Sequence, residues 1–397
     1  MRMPVAVRDF VAKYWLSSAI YGGVLLAFGW LLWWQLGTLT GGYSQAELNT
    51  YNASLHLKNI YHFPVDAPFT LLTHALMYLH HNSLLVVVRV AASIAGLATL
   101  TAFYWLVRYW HGQRAAIFGT ILFGTSAWFL HTARLGTPDV LMFGVLGLTA
   151  CGVWFKHSRT ALPIVLLLAL CALLLYVPGM VWFILAGAIW QFKTIDRVFK
   201  QHLWMVSLGA VLFLGILAPL GLGISHSPEM AKIMVGLPAG WPTPLHIAQN
   251  LVRVPIELAV RGPLTPEHWL GRLPILSAFS LGMVFLGVYV YIKHAKLIRT
   301  QLLVVILLIG TGLVALGGLV SISIIVPFIY VLAAAGIGLL LDRWYTVFPR
   351  NPIARSVGAG LMALVVLASA WYGYRHYFVA WPHAPETKPV FVVAGKR

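Results

Sequence analysis

The chain has 397 residues, of which 60% are hydrophobic and only 9% charged, and its mean hydropathy is +0.84. That composition excludes a soluble globular domain, and repeated apolar runs of roughly 17 to 25 residues predict membrane-spanning helices. The net charge of +17 comes from Lys and Arg in loops rather than from a basic stripe interleaved with aromatics, so nucleic acid is not an implied partner.

In chain order, Met1 to Trp15 is basic and precedes an apolar run from Ala19 to Leu36. The run is longer than a signal-peptide core and lacks a small-x-small cleavage site, which predicts an uncleaved first span at about 17–37. Further spans are predicted at about 84–107, 115–132, 140–155, 162–177, 179–192, 203–224, 275–292, 302–320, 323–341 and 356–373, about 11 transmembrane helices in all. Pro178-Gly179 leaves open two short helices or one kinked segment across 162–192. Cys151 and Cys171 both fall inside predicted spans, which argues against a disulfide or a metal site.

Orientation follows from Lys and Arg in alternate loops. Arg2, Arg8 and Lys13; Arg108 and Arg114; Lys156 and Arg159; Lys193, Arg197 and Lys200; Lys293, Lys296 and Arg299; and Arg343, Arg350 and Arg355 lie in six short segments. With eleven spans, all six come out on one side. The expectation is a multi-pass protein of the cytoplasmic membrane, N-terminus cytoplasmic and C-terminus external. Two external loops, 38–83 and 225–274, are then large, and the patterns at 46–60 and 245–260 predict helices lying in the membrane interface. The chain divides into an N-terminal transmembrane module over 1–224 that contains the first loop, the second loop over 225–274, and a C-terminal module with an external tail over 275–397.

Acidic residues number only ten. Asp9, Asp196 and Asp342 lie among Lys and Arg, whereas Glu47, Asp66, Asp139, Glu229, Glu257, Glu267 and Glu386 fall on the external side. Glu47, after the first span, and Asp139, in the turn before the fourth, each suit either a helix start or acid–base chemistry. Asp66, between two prolines in HFPVDAP, reads as a turn former. Arg89 lies inside the outer end of an apolar run, where a charge costs up to roughly 2.5–3.5 kcal/mol. It requires an anionic partner, for which Glu47, Asp139 or a ligand phosphate are candidates, and Arg134 faces the same side. His56, His62, His74, His80 and His81 match no zinc spacing. Arg253, Arg261 and Arg272 of the second loop, with Lys232, His246 and His268, line an anion-binding groove or stand in solvent. No carboxylate or lysine lies well inside a span, as ion-coupled transport would require, and no P-loop or dinucleotide fingerprint is present.

One span, an external loop opening with an acidic residue, and then RVAASIAGLATLTAFYWLVRYWHGQRAAIFGTILFGTSAWFLHTARLGTPDVLMF resemble the GT-C-type membrane glycosyltransferases, the branch of protein O-mannosyltransferases and the aminoarabinose transferase that modifies lipid A. GRLPILSAFSLGMVFLGV, SIIVPFIYVLAAAGIGLLL and the tail HYFVAWPHAPETKPVF resemble later parts of the same families. The resemblance implies an all-α GT-C fold and a hexosyl- or pentosyltransferase. Such an enzyme moves a sugar, with inversion, from a polyprenyl-phosphate donor to a lipid, glycan or protein acceptor at the external face of the bilayer. Glu47 and Asp139 would be its central carboxylates, with Glu47 deprotonating the acceptor. Arg89, Arg134 and one or more of Arg253, Arg261 and Arg272 would assist the leaving phosphate. Where the family commonly carries an Asp-Glu pair this chain has Ala46-Glu47. Some relatives bind a divalent metal ion, which Glu47 with a histidine could hold here, and no other cofactor is implied. A lipid or solute transporter or flippase and a non-catalytic relative are the alternatives.

Overall fold

The computed structural model describes residues 22–80, 85–157 and 162–394. The basic N-terminal segment, His81 and Arg159 lie outside the described residues, as do residues 17–21 of the first expected span. Helix α1 (Gly22–Trp33) leads into the first loop, which carries α2 (Gln45–Leu55), α3 (Asn59–His62) and α4 (Ala67–His80). The chain then runs through α5 (Val86–His111), α6 (Gln113–Gly124), α7 (Ala127–Thr132), a 3-10 turn at Pro138–Phe143, α8 (Gly144–His157), α9 (Leu162–Leu174), α10 (Met180–Trp190), α11 (Phe192–Gln201) and α12 (Leu203–His226). The second loop holds α13 (Glu229–Val235) and α14 (Pro244–Ala259). Helices α15 (Ala278–Lys293), α16 (Ile298–Ala315), α17 (Val326–Val347) and α18 (Pro352–Arg375) follow, and a π-helical turn at His376–Ala380 passes into α19 (Trp381–His383).

Among the described residues, six helical stretches are long and apolar enough to cross a membrane: Val86–His111, Pro138–His157, Leu203–His226, Ile298–Ala315, Ile322–Val347 and Pro352–His383. Five shorter apolar helices accompany them. The chain is therefore an all-α, polytopic membrane protein. The isolated bridge Tyr43–Val393 is the extent of β-pairing among the described residues.

Several segments differ from expectation. The third expected span is two helices, because the chain turns at Thr125 and Ser126, where the Ser126 hydroxyl caps α7 by accepting from Phe129 N–H. At 1.5 Å per residue, α6 is roughly 18 Å long, too short to cross a hydrocarbon core of about 30 Å alone. Between α9 and α10 the open question resolves as a turn, with Gly179 at φ +79° in the left-handed region that glycine tolerates. The first loop holds an apolar helix, α4, that the sequence reading passed over. The interfacial helix expected at 46–60 is broken into α2 and α3, whereas that at 245–260 is the continuous α14.

The core lies where α5, α6, α15 and α17 meet, and α17 is almost wholly buried along its first half. Its partner is α15, and the contact depends on small residues. A Cβ on Gly287 would collide with the Leu332 carbonyl, and one on Gly336 with that of Met283. Absence of side chains here lets two backbones approach closely, the usual way for helices to associate in lipid, where apolar burial alone gives no preference. Pro219 interrupts α12, and the adjacent Leu220 N–H is received by the Tyr176 hydroxyl, which itself donates to the Ile216 carbonyl.

The two ends of the bundle are chemically distinct. At one end the first loop, the 133–143 turn, the second loop and the C-terminal tail interlock. Asp66 N–H donates to Tyr176 O, His376 bonds the Leu270 carbonyl, and Tyr43 and Val393 exchange backbone hydrogen bonds. At the other end lie the short basic loops, where Arg299 donates to the Trp110 carbonyl and Arg114 and Arg355 both stack on Tyr345.

Candidate functional site

Glu47 enters the site through a helix cap. Ser44, the cap of α2, accepts from Glu47 N–H at 3.2 Å, and its own N–H donates to Glu47 Oε2 at 2.8 Å. This reciprocal arrangement satisfies two groups at the start of α2 and turns the carboxylate inward. There it meets Arg89 near the start of α5. Arg89 donates from Nε to Oε1 at 2.6 Å and from Nη2 to Oε2 at 2.9 Å, and Gly136 N–H adds a bond to Oε1 at 2.9 Å. Both carboxylate oxygens are thus doubly engaged, and the side chain is 0% exposed. A side chain on Gly136 would collide with Val88 and crowd Glu47 Oε1, so glycine is what lets this N–H approach.

The rest of the Arg89 guanidinium binds the first loop. Nη1 donates to the Leu36 carbonyl at 2.9 Å and Nη2 to that of Gly42 at 2.8 Å, while the group lies 4.2 Å from the centre of the Tyr43 ring. Arg134 is held in the same manner. It donates to the Leu31 and Trp34 carbonyls at 2.8 and 2.7 Å and lies against the Phe378 and Tyr377 rings. These two arginines receive the carbonyls that the end of α1 and the following loop leave without helical partners.

Asp139, Asp66, His131 and His268 are electrostatically coupled titratable groups at the same end of the molecule. Asp139, in the first turn of the 3-10 segment after Pro138, takes the Thr137 hydroxyl at 3.2 Å and His268 Nε2 at 3.1 Å, both on Oδ2. Its side chain is 23% exposed and that of His268 17%. Burial opposes charge on His268, but the bond to Asp139 and that residue's negative charge prevail and hold its pKa above the usual imidazole value. His268 also stacks on Trp128. His131 Nε2 lies 2.7 Å from the Glu267 carbonyl and therefore carries the proton, while Nδ1 is buried without a partner.

Asp66 precedes α4 with φ +55°, a conformation Asp tolerates better than most residues. Its Oδ1 is buried without a hydrogen bond. Burial, with the charge of Asp139 added, lifts its pKa well above the ordinary carboxylate range. Buried polar atoms without partners are uncommon and collect at functional sites. Asp66 Oδ1, His131 Nδ1 and Arg134 Nε are three of them at this end of the molecule.

The residues expected from sequence therefore separate. Glu47, Arg89 and Arg134 are buried in one bonded frame, joined to Asp139 through the short stretch from Gly136. Arg253, Arg261 and Arg272 are exposed on the second loop. Arg253 lies 3.6 Å from Glu257, and with Arg261 they line an open groove of about 470 Å³ along α14. Arg272 has φ +60° and stands outside that groove. Sequence reasoning missed Asp66, His131 and His268 as members of one cluster. A buried, strained carboxylate cannot be told from a turn-forming one by its flanking prolines. The donor set does not suit a divalent ion: Glu47 has no unengaged oxygen, and no group of three His, Cys, Asp or Glu able to hold a metal occurs among the described residues.

No protein-family model matches the chain, and no curated protein matches it in sequence. Its fold does have solved counterparts. The crystal structure of ArnT from Cupriavidus metallidurans in the apo state superposes with a TM-score of 0.61 at 14% identity, covering 94% of this chain and 78% of ArnT. ArnT from the same organism bound to undecaprenyl phosphate gives 0.56 at 13% identity, covering 93% and 76%. The chain thus has the polytopic fold of ArnT, an aminoarabinose transferase of the GT-C type, over nearly its whole length.

Proposed function

We propose that this chain is a membrane glycosyltransferase that moves a sugar from a polyprenyl-phosphate donor to an acceptor at the external face of the cell membrane. The observation carrying the proposal is a polar cluster, built around Asp139, at the end of a fold shared with a protein solved in complex with undecaprenyl phosphate. The alternation of six short basic segments in the sequence supports a cytoplasmic N-terminus, with the cluster and the C-terminal tail outside.

Glu47 and Asp139 divide the work. Glu47, with both oxygens engaged by N–H donors, positions: it fixes Arg89 and the first loop beneath the cluster. Asp139 is the better placed of the two to accept a proton, since its two bonds fall on Oδ2 and Oδ1 is left for a substrate hydroxyl. It takes the acceptor proton as the acceptor oxygen bonds the anomeric carbon. The carbon–oxygen bond to the lipid phosphate breaks on the opposite face, the phosphate leaves with the electron pair, and configuration inverts. Protonated His268 steadies the Asp139 carboxylate. Arg261, and Arg253 with its long 3.6 Å contact to Glu257, are exposed on the second loop and would meet the leaving phosphate, whose charge they offset.

Purified protein in lipid vesicles, supplied with a membrane extract as the source of acceptors and a panel of undecaprenyl-phosphate-linked pentoses and hexoses, should release undecaprenyl phosphate with at least one of them as the sugar passes to an acceptor. Asp139→Asn should abolish that release while leaving undecaprenyl phosphate binding intact. Unchanged release by correctly folded Asp139→Asn protein would refute the assignment.

A further inference from the structure

His131 is a buried imidazole that the transfer chemistry does not use, yet its bonds lead to His268. That residue stands on a short stretch of the second loop, a 3-10 turn at Pro266–His268 followed by Trp269 and Leu270 outside any helix. So little regular structure does not by itself aim a side chain. The stretch is held instead at three carbonyls by ring N–H donors from elsewhere in the chain. His131 Nε2 donates to the Glu267 carbonyl at 2.7 Å, Trp381 Nε1 to that of Trp269 at 2.9 Å and His376 Nε2 to that of Leu270 at 2.8 Å. The first two bonds flank His268 in the chain. The three donor residues are at most 9% exposed, so water competes little for these carbonyls.

Trp381 and His376 belong to the C-terminal tail, whereas His131 belongs to α7, which runs directly into the 133–143 turn that carries Asp139. Helix α7 holds His268 twice. Trp128, three residues before His131 and so on the same side of the helix, stacks on the His268 ring with 5.9 Å between centres. Trp128 is itself fixed by donating Nε1 to Ser323 Oγ at 3.2 Å. His131 takes the backbone next to His268 and meets the same ring edge-on at 6.0 Å. Trp381 packs on His131 edge-on at 4.9 Å, which leaves the imidazole little room to turn. One short helix thus fixes both the face of His268 and the chain beside it, and leads on to the carboxylate that His268 bonds.

We propose that His131 is a positioning residue of the transfer site, acting through the Glu267 carbonyl to hold the His268 imidazole against Asp139 Oδ2. Its part in transfer rests on the reading of Asp139 as the base; its hold on His268 does not. The charged and titratable groups that face His268 are Asp139 on the 3-10 segment, His131 on α7, Glu257 of α14, itself 3.6 Å from Arg253, and the adjacent Glu267. Asp139 is its hydrogen-bond partner among them, at 3.1 Å. If the Glu267 carbonyl is released, that contact loosens and His268 gives up its proton at lower pH.

His131→Phe keeps a ring in place but has no N–H, and His131→Gln keeps an amide N–H of comparable reach. In vesicles supplied with a lipid-linked sugar that the parent turns over, His131→Phe should lower kcat roughly 10–100-fold and leave KM for the donor within about twofold. The alkaline limb of kcat against pH, where His268 loses its proton, should move to lower pH in His131→Phe and stay in place in His131→Gln. Thermal unfolding needs no transfer. Midpoints from pH 6 to pH 9, with and without His268→Ala, should show His268 stabilising less at alkaline pH in the parent and equally at both ends in His131→Phe. Should His131→Phe not fold, His131→Asn, whose shorter amide does not reach the Glu267 carbonyl, takes its place. The same pH dependence of the His268 contribution in both backgrounds, an alkaline limb unmoved by His131→Phe, or a loss in His131→Gln equal to that in His131→Phe would each overturn the proposal. If the parent turns over no donor, the proposed activity fails and the unfolding comparison alone decides the role of His131.

Discussion

Glu47→Gln is the sharpest test of the frame beneath the cluster, because it keeps the shape and removes the charge. Glu47 accepts from Ser44 N–H, Arg89 Nε, Arg89 Nη2 and Gly136 N–H, two on each oxygen. In glutamine one oxygen becomes NH₂, so whichever way the amide turns, two of those donors face a donor. A hydrogen bond involving a charged group contributes about 1.5–3 kcal/mol, and two lost bonds give a destabilisation of about 3–6 kcal/mol. Arg89 would also remain as a buried cation whose carboxylate partner is gone. The assay is thermal unfolding of the purified protein in one fixed lipid or detergent, followed by intrinsic fluorescence. Glu47→Gln should unfold several degrees lower. Glu47→Leu with Arg89→Leu should recover part of the loss, since removing both charges removes the burial penalty. Recovery stays partial because the Leu36 and Gly42 carbonyls lose their donor. A midpoint unchanged in Glu47→Gln would refute the structural role and return the proton-transfer role to Glu47.

Other outcomes follow from the same geometry. Asp139→Asn should cut sugar transfer by roughly 10²–10⁴ while the protein still unfolds cooperatively, its midpoint lowered only by loss of the ion pair with His268, measured on one preparation. The raised pKa of His268 means that its bond to Asp139 stabilises fully below the ordinary imidazole value and is lost as pH rises through the shifted one. The stability gap between parent and His268→Ala should therefore narrow from pH 6 toward pH 9 in unfolding scans, and a constant gap would contradict it. Asp66→Asn should raise the midpoint at pH 8, leave it nearly unchanged at pH 4, and lower transfer activity. Gly336→Val should prevent the contact of α17 with α15 and abolish monodisperse protein in size exclusion.

Membrane class was legible because apolar length is a one-dimensional property: every expected span overlaps helical structure. The break at Thr125 and Ser126 was not, since Ile121, Leu122, Phe123, Trp128 and Phe129 keep the stretch apolar while the turn is set by a serine cap. Helix α4 was hidden for a related reason. Its 14 residues follow Pro64, carry Pro68 in the first turn and include two histidines, so it reads as loop although its apolar face is packed on α5. Arg89 was legible as a charge needing an anion, and Glu47 is that anion. What could not be read was how fully each satisfies the other, because Leu36, Gly42 and Gly136 take part through backbone atoms that carry no signature of their own. His268 meets Asp139 across 129 residues, a pairing that only the closure of the second loop onto the 133–143 turn creates.

Asp66 carries the argument furthest, because its two expected effects have opposite signs. A carboxyl whose folded pKa is raised costs stability at any pH above the unfolded value, because folding must either protonate it or desolvate its charge, and costs none below that value. Asparagine keeps the side-chain shape, tolerates φ +55° and carries no charge to desolvate, so it relieves that cost. A residue kept only to form the turn would gain stability from the substitution and lose nothing else. A residue kept for chemistry would gain stability and lose transfer, the trade expected where a strained, partly satisfied group belongs to an active site. Measuring unfolding and transfer on the same Asp66→Asn protein decides between the two. Higher stability with unimpaired transfer would return Asp66 to a turn-forming role and leave Asp139 as the carboxylate for the proton.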